Sequence, residues 1–64
     1  MITGYIVIFQ DGSSQNFVFI KDARTFLLLA DYALTGPDFM TAQSVYNPSH
    51  DAVIIPIVKV ELVG

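Results

Sequence analysis

The sequence contains no cysteine and no tryptophan, and it has a single histidine, His50. The absence of cysteine excludes disulfides and thiolate metal sites, and one histidine argues against a histidine-based metal site. The 64 residues indicate a single domain, residues 1–64. A domain this small buries only roughly 60% of the surface of its unfolded chain and usually needs a disulfide, a metal or a partner. Association is therefore the remaining means of stabilisation.

Charge is also scarce. Charged residues make up 14% of the chain and hydrophobic residues 53%, whereas soluble domains average roughly 25% charged residues. The three basic residues, Lys21, Arg24 and Lys59, are scattered, and the net charge is -3. Direct binding of nucleic acid is not expected, because phosphate contacts need clustered Lys and Arg. The six carboxylates are too dispersed to favour mimicry of DNA.

Long hydrophobic runs are missing as well. The longest, residues 52–58, is interrupted by Pro56 and is far shorter than the roughly 18 residues of a membrane span. No basic segment precedes an apolar one at the N-terminus, so a signal peptide is not expected. The sequence predicts a cytoplasmic protein that does not enter a membrane.

Two β-branched and aromatic segments are joined by a turn signal. Residues 3–10 and 15–21 are predicted strands, and the intervening Asp11-Gly12-Ser13-Ser14 is typical of a hairpin turn. Placing Gly12 and Ser13 at the centre of that turn puts Ile8 opposite Phe17. We therefore predict an antiparallel hairpin with this register.

The rest of the chain predicts one helix and two further strands. Asp22 is a suitable N-cap for a helix over residues 23–35, which Gly36 and Pro37 would end. Residues 41–46 and 52–63 are predicted strands, with Pro56 at a bulge or at a sheet edge. The predicted fold is α+β, in the order β-β-α-β-β, with an antiparallel sheet and one helix packed on one face.

Neither face of the predicted sheet is polar. A single helix covers only one face, so apolar side chains are left on the other. The residues predicted on this open face are Ile6, Ile8, Phe17, Phe19, Ile55 and Ile57. Alternatively, loops or the last strand fold over this face and give a two-sided core.

The predicted helix has an apolar stripe and two apolar residues outside it. At 100° per residue the predicted core stripe consists of Phe26, Leu27, Leu29, Ala30, Ala33 and Leu34. Leu28 and Tyr32 lie one turn apart on the outer, polar side. We predict that they form a second contact patch, so the interface residues come from both sides of the domain.

Motifs for catalysis or phosphate binding are absent from the sequence. Ser49, His50 and Asp51 are adjacent, whereas a catalytic triad needs groups that converge from different parts of the fold. No glycine-rich phosphate-binding pattern is present, so we expect neither an enzyme nor a cofactor.

The order of these segments supports a resemblance. Residues 17–20, then Asp22-Ala23-Arg24, the helix to Gly36 and the strand through Val45 resemble the layout of small phage-encoded inhibitors of host enzymes. Those inhibitors bind bacterial RNA polymerase or block uracil-DNA glycosylase. The resemblance implies a small protein that occludes a partner. The chain lacks their basic C-terminal strand or acidic helix and adds a final strand, so no functional residue is transferred.

Three functions follow as hypotheses. The first is a non-catalytic protein-binding module, a viral or mobile-element inhibitor that occludes a host protein and acts as a homodimer. The second is a structural subunit of a larger, viral assembly. The third is a small-molecule binding module with a pocket between helix and sheet. The surplus of apolar residues favours the first.

Overall fold

The computed structural model describes residues 1–60, which form one helix and one five-stranded sheet. The elements are β1 (Ile2–Phe9), β2 (Ser14–Phe17), α1 (Ile20–Leu29), β3 (Tyr32–Thr35), β4 (Thr41–Ser44) and β5 (Asp51–Val58). All neighbouring strands pair antiparallel, in the spatial order β2-β1-β5-β4-β3. The predicted α+β class is confirmed, and the sheet has one strand more than predicted. The predicted continuation of the last strand over residues 61–63 lies outside the described residues.

The extra strand comes from the segment predicted as the second half of the helix. Helix α1 ends at Leu29, and Asp31 takes a positive φ of 62° that redirects the chain into β3. Asp adopts this left-handed conformation more readily than most residues. The helix also begins earlier than predicted, after Phe19 as N-cap, so Asp22 lies in the first turn rather than capping it. A carboxylate there still interacts favourably with the helix dipole.

The hairpin between β1 and β2 has a three-residue loop instead of the predicted two-residue turn. Gly12 donates its N–H to the Phe9 carbonyl (2.9 Å), and Phe9 donates its N–H to the Ser13 carbonyl (2.8 Å). Gly12 has a φ of 90° and takes the left-handed position that follows a type I turn in such loops. The predicted register is therefore wrong: Phe17 lies opposite Tyr5, and Ile8 lies opposite Ser14.

Helix α1 packs on one face of the sheet and encloses a small core. The fully or almost fully buried hydrophobic residues are Val7, Ala23, Leu27, Ala42, Ala52 and Ile54. Half of them are alanines, which allow the helix to approach the sheet closely. Phe26 extends the core sideways, with ring centroids 6.0 Å from Phe9 and 5.2 Å from Phe17.

The sheet is staggered, because the edge strands are short. Strand β4 pairs with β5 only as far as Val53, and β2 pairs with β1 only from Tyr5 onward. The first residues of β1 and the last residues of β5 therefore pair only with each other. Pro56 lies in this part of β5, where no β4 residue pairs with it, which is the sheet-edge position predicted for it.

Gly4 allows the end of β2 to approach β1. A Cβ atom at this position would lie 2.8 Å from the carbonyl oxygen of Phe17. We expect Gly4→Ala to lower the free energy of unfolding by about 1–2 kcal/mol, because the clash outweighs the entropy gained by removing a glycine. Urea denaturation followed by circular dichroism measures this change. An unchanged or higher urea midpoint would show that the end of β2 moves away from the added methyl group without loss of stability.

Candidate functional site

The face of the sheet opposite α1 carries a row of aliphatic side chains on its two central strands. We call Ile6, Ile8, Val53, Ile55 and Ile57 the open-face strip. Side chains alternate along a strand, so these five residues point away from the helix side occupied by Val7 and Ile54. No helix or strand within residues 1–60 lies over this face. The last strand is central in the sheet, so it does not fold over the face.

The strip is continuous because its residues are paired across β1 and β5. Ile6 lies opposite Ile55, and Ile8 lies opposite Val53. Directly opposed side chains have Cβ atoms roughly 5 Å apart, so they contact one another. Ile55 and Ile57 remain 42% and 38% exposed, and the other three are half-buried by their neighbours. An apolar surface of this kind is what a partner would bury.

Uncharged polar residues border the strip on both sides. Ser14 and Asn16 lie beside it on β2, and Thr41 and Gln43 lie beside it on β4. The side chain of Thr41 is fixed by donating to the Thr35 carbonyl (2.9 Å). Gln43 donates its side-chain amide to the Pro48 carbonyl (2.7 Å). The border thus presents uncharged hydroxyl and amide groups, and those on β4 are held in place by hydrogen bonds.

A concave depression of about 640 Å³ lies where the strip meets this polar border. Its lining includes Ile8 and Val53 from the strip, with Thr41 and Gln43 from β4 and Asp51 at one end. Asp51 supplies the one carboxylate among the lining residues. The depression is large enough to accept side chains of another protein.

Comparison with known proteins finds no matching family model, no matching curated protein and no matching solved structure.

The structure places four of the predicted interface residues, Ile6, Ile8, Ile55 and Ile57, on the open face. Their role as an interface stays a prediction. Val53 was missed, although it has the same parity along its strand as Ile55. Period-two alternation extended back from Ile55 would have found it.

The placement of Phe17 and Phe19 on the open face is wrong. Phe17 follows the parity of Tyr5 and packs under the helix against Phe26. Phe19 lies outside the strands as the N-cap of α1 and is 65% exposed. With Ile2 and Val18 it lines a separate depression of about 500 Å³ on the helix side.

The predicted helix patch of Leu28 and Tyr32 is also wrong as a pair. Leu28 is exposed on the helix, as predicted. Tyr32 belongs to β3 and is half-buried on the helix side, with its ring centroid 5.4 Å from that of Phe9. The apolar neighbour of Leu28 is instead Leu29, which is 80% exposed.

The polar groups in the loops serve local structure. The Ser13 hydroxyl donates a hydrogen bond to the Asp11 carboxylate (2.6 Å), and the Ser13 N–H donates another (2.9 Å). These bonds lower the pKa of Asp11 from its ordinary value, the hydroxyl bond having the larger effect. Ser49 donates its hydroxyl to the side-chain oxygen of Asn47, and His50 Nε2 lies 3.3 Å from the Asn47 amide nitrogen. These contacts order two turns and do not converge on a reacting centre.

Residues 1–60 contain neither a metal-binding cluster nor a helix that could span a membrane. No group of three or more His, Cys, Asp or Glu side chains in that range is placed to hold a metal ion. No helix in the same range is long and apolar enough to cross a membrane.

Proposed function

We propose that this chain is a non-catalytic protein-binding module that acts as a homodimer and docks a partner protein on the open-face strip. The observation that carries the proposal is the continuous aliphatic row on the uncovered side of the sheet. An apolar centre surrounded by polar groups is the usual anatomy of a protein interface. The open face has this arrangement, with Asn16 and Thr41 at the border of the strip, and Ile55 and Ile57 continue the strip beyond the end of β4.

The chemistry of the face specifies the kind of partner surface it fits. The strip and its borders on β2 and β4 are uncharged, and Asp51 lies at one end. A charged partner surface would lose its hydration there without gaining an ion pair. We infer an apolar partner surface whose edges donate and accept hydrogen bonds with side chains such as Gln43 and Ser14.

The proposed biological role is inhibition by occlusion of a host protein, in the host-cell cytoplasm and from a viral or mobile genetic element. The order β1-β2-α1-β3 supports this role, since it keeps the strand-strand-helix-strand layout of the phage inhibitors that the sequence resembles, although the strand that follows the helix is β3 and not the segment through Val45. An inhibitor of this type needs no reacting groups. It only has to cover the surface that the host protein uses.

Ile55→Lys tests the docking surface, with Val58→Lys as the matched control. Val58 is on the same strand and 59% exposed, and it lies on the opposite side of the sheet. We expect Ile55→Lys to weaken binding of the partner by about 100-fold or more, because it places a charge in the centre of a dry contact. Val58→Lys should bind as the wild type does.

The measurement begins with capture of proteins from a host lysate on immobilised wild type and identification by mass spectrometry. The purified partner is then titrated against all three forms, and its own activity is assayed with and without each. Loss of binding and of inhibition with Ile55→Lys alone would support the proposal. Equal binding by Ile55→Lys and wild type would exclude the strip as the docking surface.

A structural subunit of a larger assembly is the second candidate. It is favoured by the second exposed apolar depression, around Ile2, Val18 and Phe19, on the opposite side of the sheet. Different surfaces on two sides can form head-to-tail contacts that propagate. Light scattering that shows growth beyond a dimer with concentration would favour this candidate.

A further inference from the structure

Strand β3 lies at an edge of the sheet, and the hydrogen bonds to β4 show which of its backbone groups point outward. Val45 donates its N–H to the Asp31 carbonyl (3.0 Å), so alternate residues Asp31, Ala33 and Thr35 direct their backbone groups toward β4. The N–H and C=O groups of Tyr32 and Leu34 therefore point away from the sheet. No strand among residues 1–60 lies beyond them.

This edge is short, with four residues, but it lacks the other features that usually prevent strand pairing. Proline, charged side chains and bulges protect exposed edges in natural sheets. The free end of β5 carries Pro56, whereas Tyr-Ala-Leu-Thr of β3 contains no proline or charge, and its pairing with β4 is regular. The other edge strand, β2, is Ser-Gln-Asn-Phe, so pairing there would bury little apolar surface.

We propose that two copies of the chain pair antiparallel through β3, with a two-fold axis between the two Ala33 residues, and so form a ten-stranded sheet. In this register Tyr32 of each copy exchanges backbone hydrogen bonds with Leu34 of the other. The proposal rests on the homodimer of the proposed function and specifies how that homodimer forms.

The strand is self-complementary in this register. The two Ala33 residues form a non-hydrogen-bonded pair, in which Cα atoms approach to roughly 4.5 Å and small side chains fit best. Tyr32 and Leu34, both half-buried on the helix side, face each other across the axis as an aromatic–aliphatic pair. Leu28 and Leu29, which are also exposed, end the helix just before β3 in the chain.

Electrostatics also permit pairing of identical copies at this edge. The chain has a net charge of -3, and β3 itself is neutral. Asp31 of one copy lies opposite Thr35 of the other, so the two Asp31 carboxylates are roughly 13 Å apart along the strands. That separation exceeds the Debye length of roughly 8 Å at physiological salt.

The arrangement explains how dimerisation serves docking. A two-fold axis perpendicular to the sheet places both helices on one side and both open-face strips on the other. The two strips then belong to one continuous sheet face. A partner with a large or repeated apolar surface would contact both copies at once.

Ala33→Lys tests the axis, and Ser14→Lys on the opposite edge is the matched control. Both positions are exposed in the single chain, so neither change should alter the unfolding midpoint. At the axis the two lysines would be forced together. We therefore expect the dissociation constant of the dimer to rise by about 100-fold or more. Sedimentation velocity over a range of concentrations should give a dimer for wild type and Ser14→Lys and a monomer for Ala33→Lys.

Cross-linking provides a second measurement, since the chain has no cysteine of its own. Ala33→Cys should form a covalent dimer on mild oxidation, because the Cα separation at the axis suits a disulfide. Ser14→Cys should not. A wild type that is monomeric at all concentrations, or an Ala33→Lys variant that remains dimeric, would overturn the proposal.

The outcomes separate this proposal from the docking function. Ile55→Lys should lose the partner and keep the dimer, while Ala33→Lys should lose the dimer and keep the capacity of each strip to bind. If Ile55→Lys dissociates the dimer and Ala33→Lys does not, the copies associate through the open face and the edge proposal fails. Protection of β3 amides from hydrogen exchange only when the partner is added would show that the partner pairs there instead, and it would also refute the proposal.

Discussion

Leu27→Ala is expected to unfold a large part of the population at 37 °C. The Leu27 side chain is fully buried between α1 and the sheet and, with Val7, is the largest completely enclosed side chain in the core. Its truncation lowers the free energy of unfolding by about 3–5 kcal/mol, because apolar burial is lost and a cavity remains. A domain of this length has a total free energy of unfolding of roughly 3–10 kcal/mol. The loss is therefore comparable with the whole stability.

Leu29→Ala is the matched control for Leu27→Ala, because it makes the same change on the same helix. Leu29 is 80% exposed, so its truncation should change the free energy of unfolding by less than about 0.5 kcal/mol. Urea denaturation of both variants, followed by circular dichroism, gives the comparison. Equal losses would mean that Leu29 is as well buried as Leu27, contrary to the observed packing of α1.

Helical periodicity alone identifies only part of the buried side of α1. The core stripe predicted from the sequence included both Leu27 and Leu29. The structure buries Leu27 and Ala23 and turns Leu29 away, since Leu29 is 200° around the helix from Leu27. The predicted stripe is too wide because it includes Ala33 and Leu34, which belong to β3 and not to the helix. Counting these two residues as helical moves the centre of the stripe toward Leu29 and Ala30.

The end of the helix could not be predicted from residue types alone. Ala33 and Leu34 are good helix formers, and the strong stop signal, Gly36-Pro37, comes after them. The actual reversal occurs at Asp31, which takes a positive φ without being a glycine. Pairing with β4, from Tyr32 opposite Ser44 to Thr35 opposite Thr41, then stabilises the strand. Tertiary contacts decide between helix and strand at such a segment.

The open face was predictable in part. The aliphatic parity of Ile6, Ile8, Ile55 and Ile57 is a property of the strands themselves, so their common face does not depend on the loop between β1 and β2. The face of Phe17 does depend on it, because a different loop length changes the register and can move a residue to the other side. A three-residue loop with Gly12 at its end and a two-residue turn fit the same Asp-Gly signal.

Phe17→Asp is expected to unfold the domain instead of merely dissociating a complex. In the observed register Phe17 lies opposite Tyr5 on the helix side, with its ring 5.2 Å from that of Phe26. The substitution removes this contact and places a carboxylate at a half-buried position beneath the helix, where burial disfavours its charged form. We expect a loss of about 3 kcal/mol or more in the free energy of unfolding.

Asn16→Asp is the matched control, since it adds the same charge one residue earlier on β2. Asn16 is exposed on the open face, so this variant should remain folded, with an unfolding midpoint close to that of the wild type. Thermal unfolding followed by circular dichroism, together with light scattering, distinguishes the two registers. If Phe17→Asp stayed folded and lost only its association, Phe17 would lie on the open face, and the two-residue turn would be the correct description of the hairpin. Loss of folding in Phe17→Asp alone would establish that Phe17 supports the helix, and it would leave the docking surface to the aliphatic residues of the two central strands.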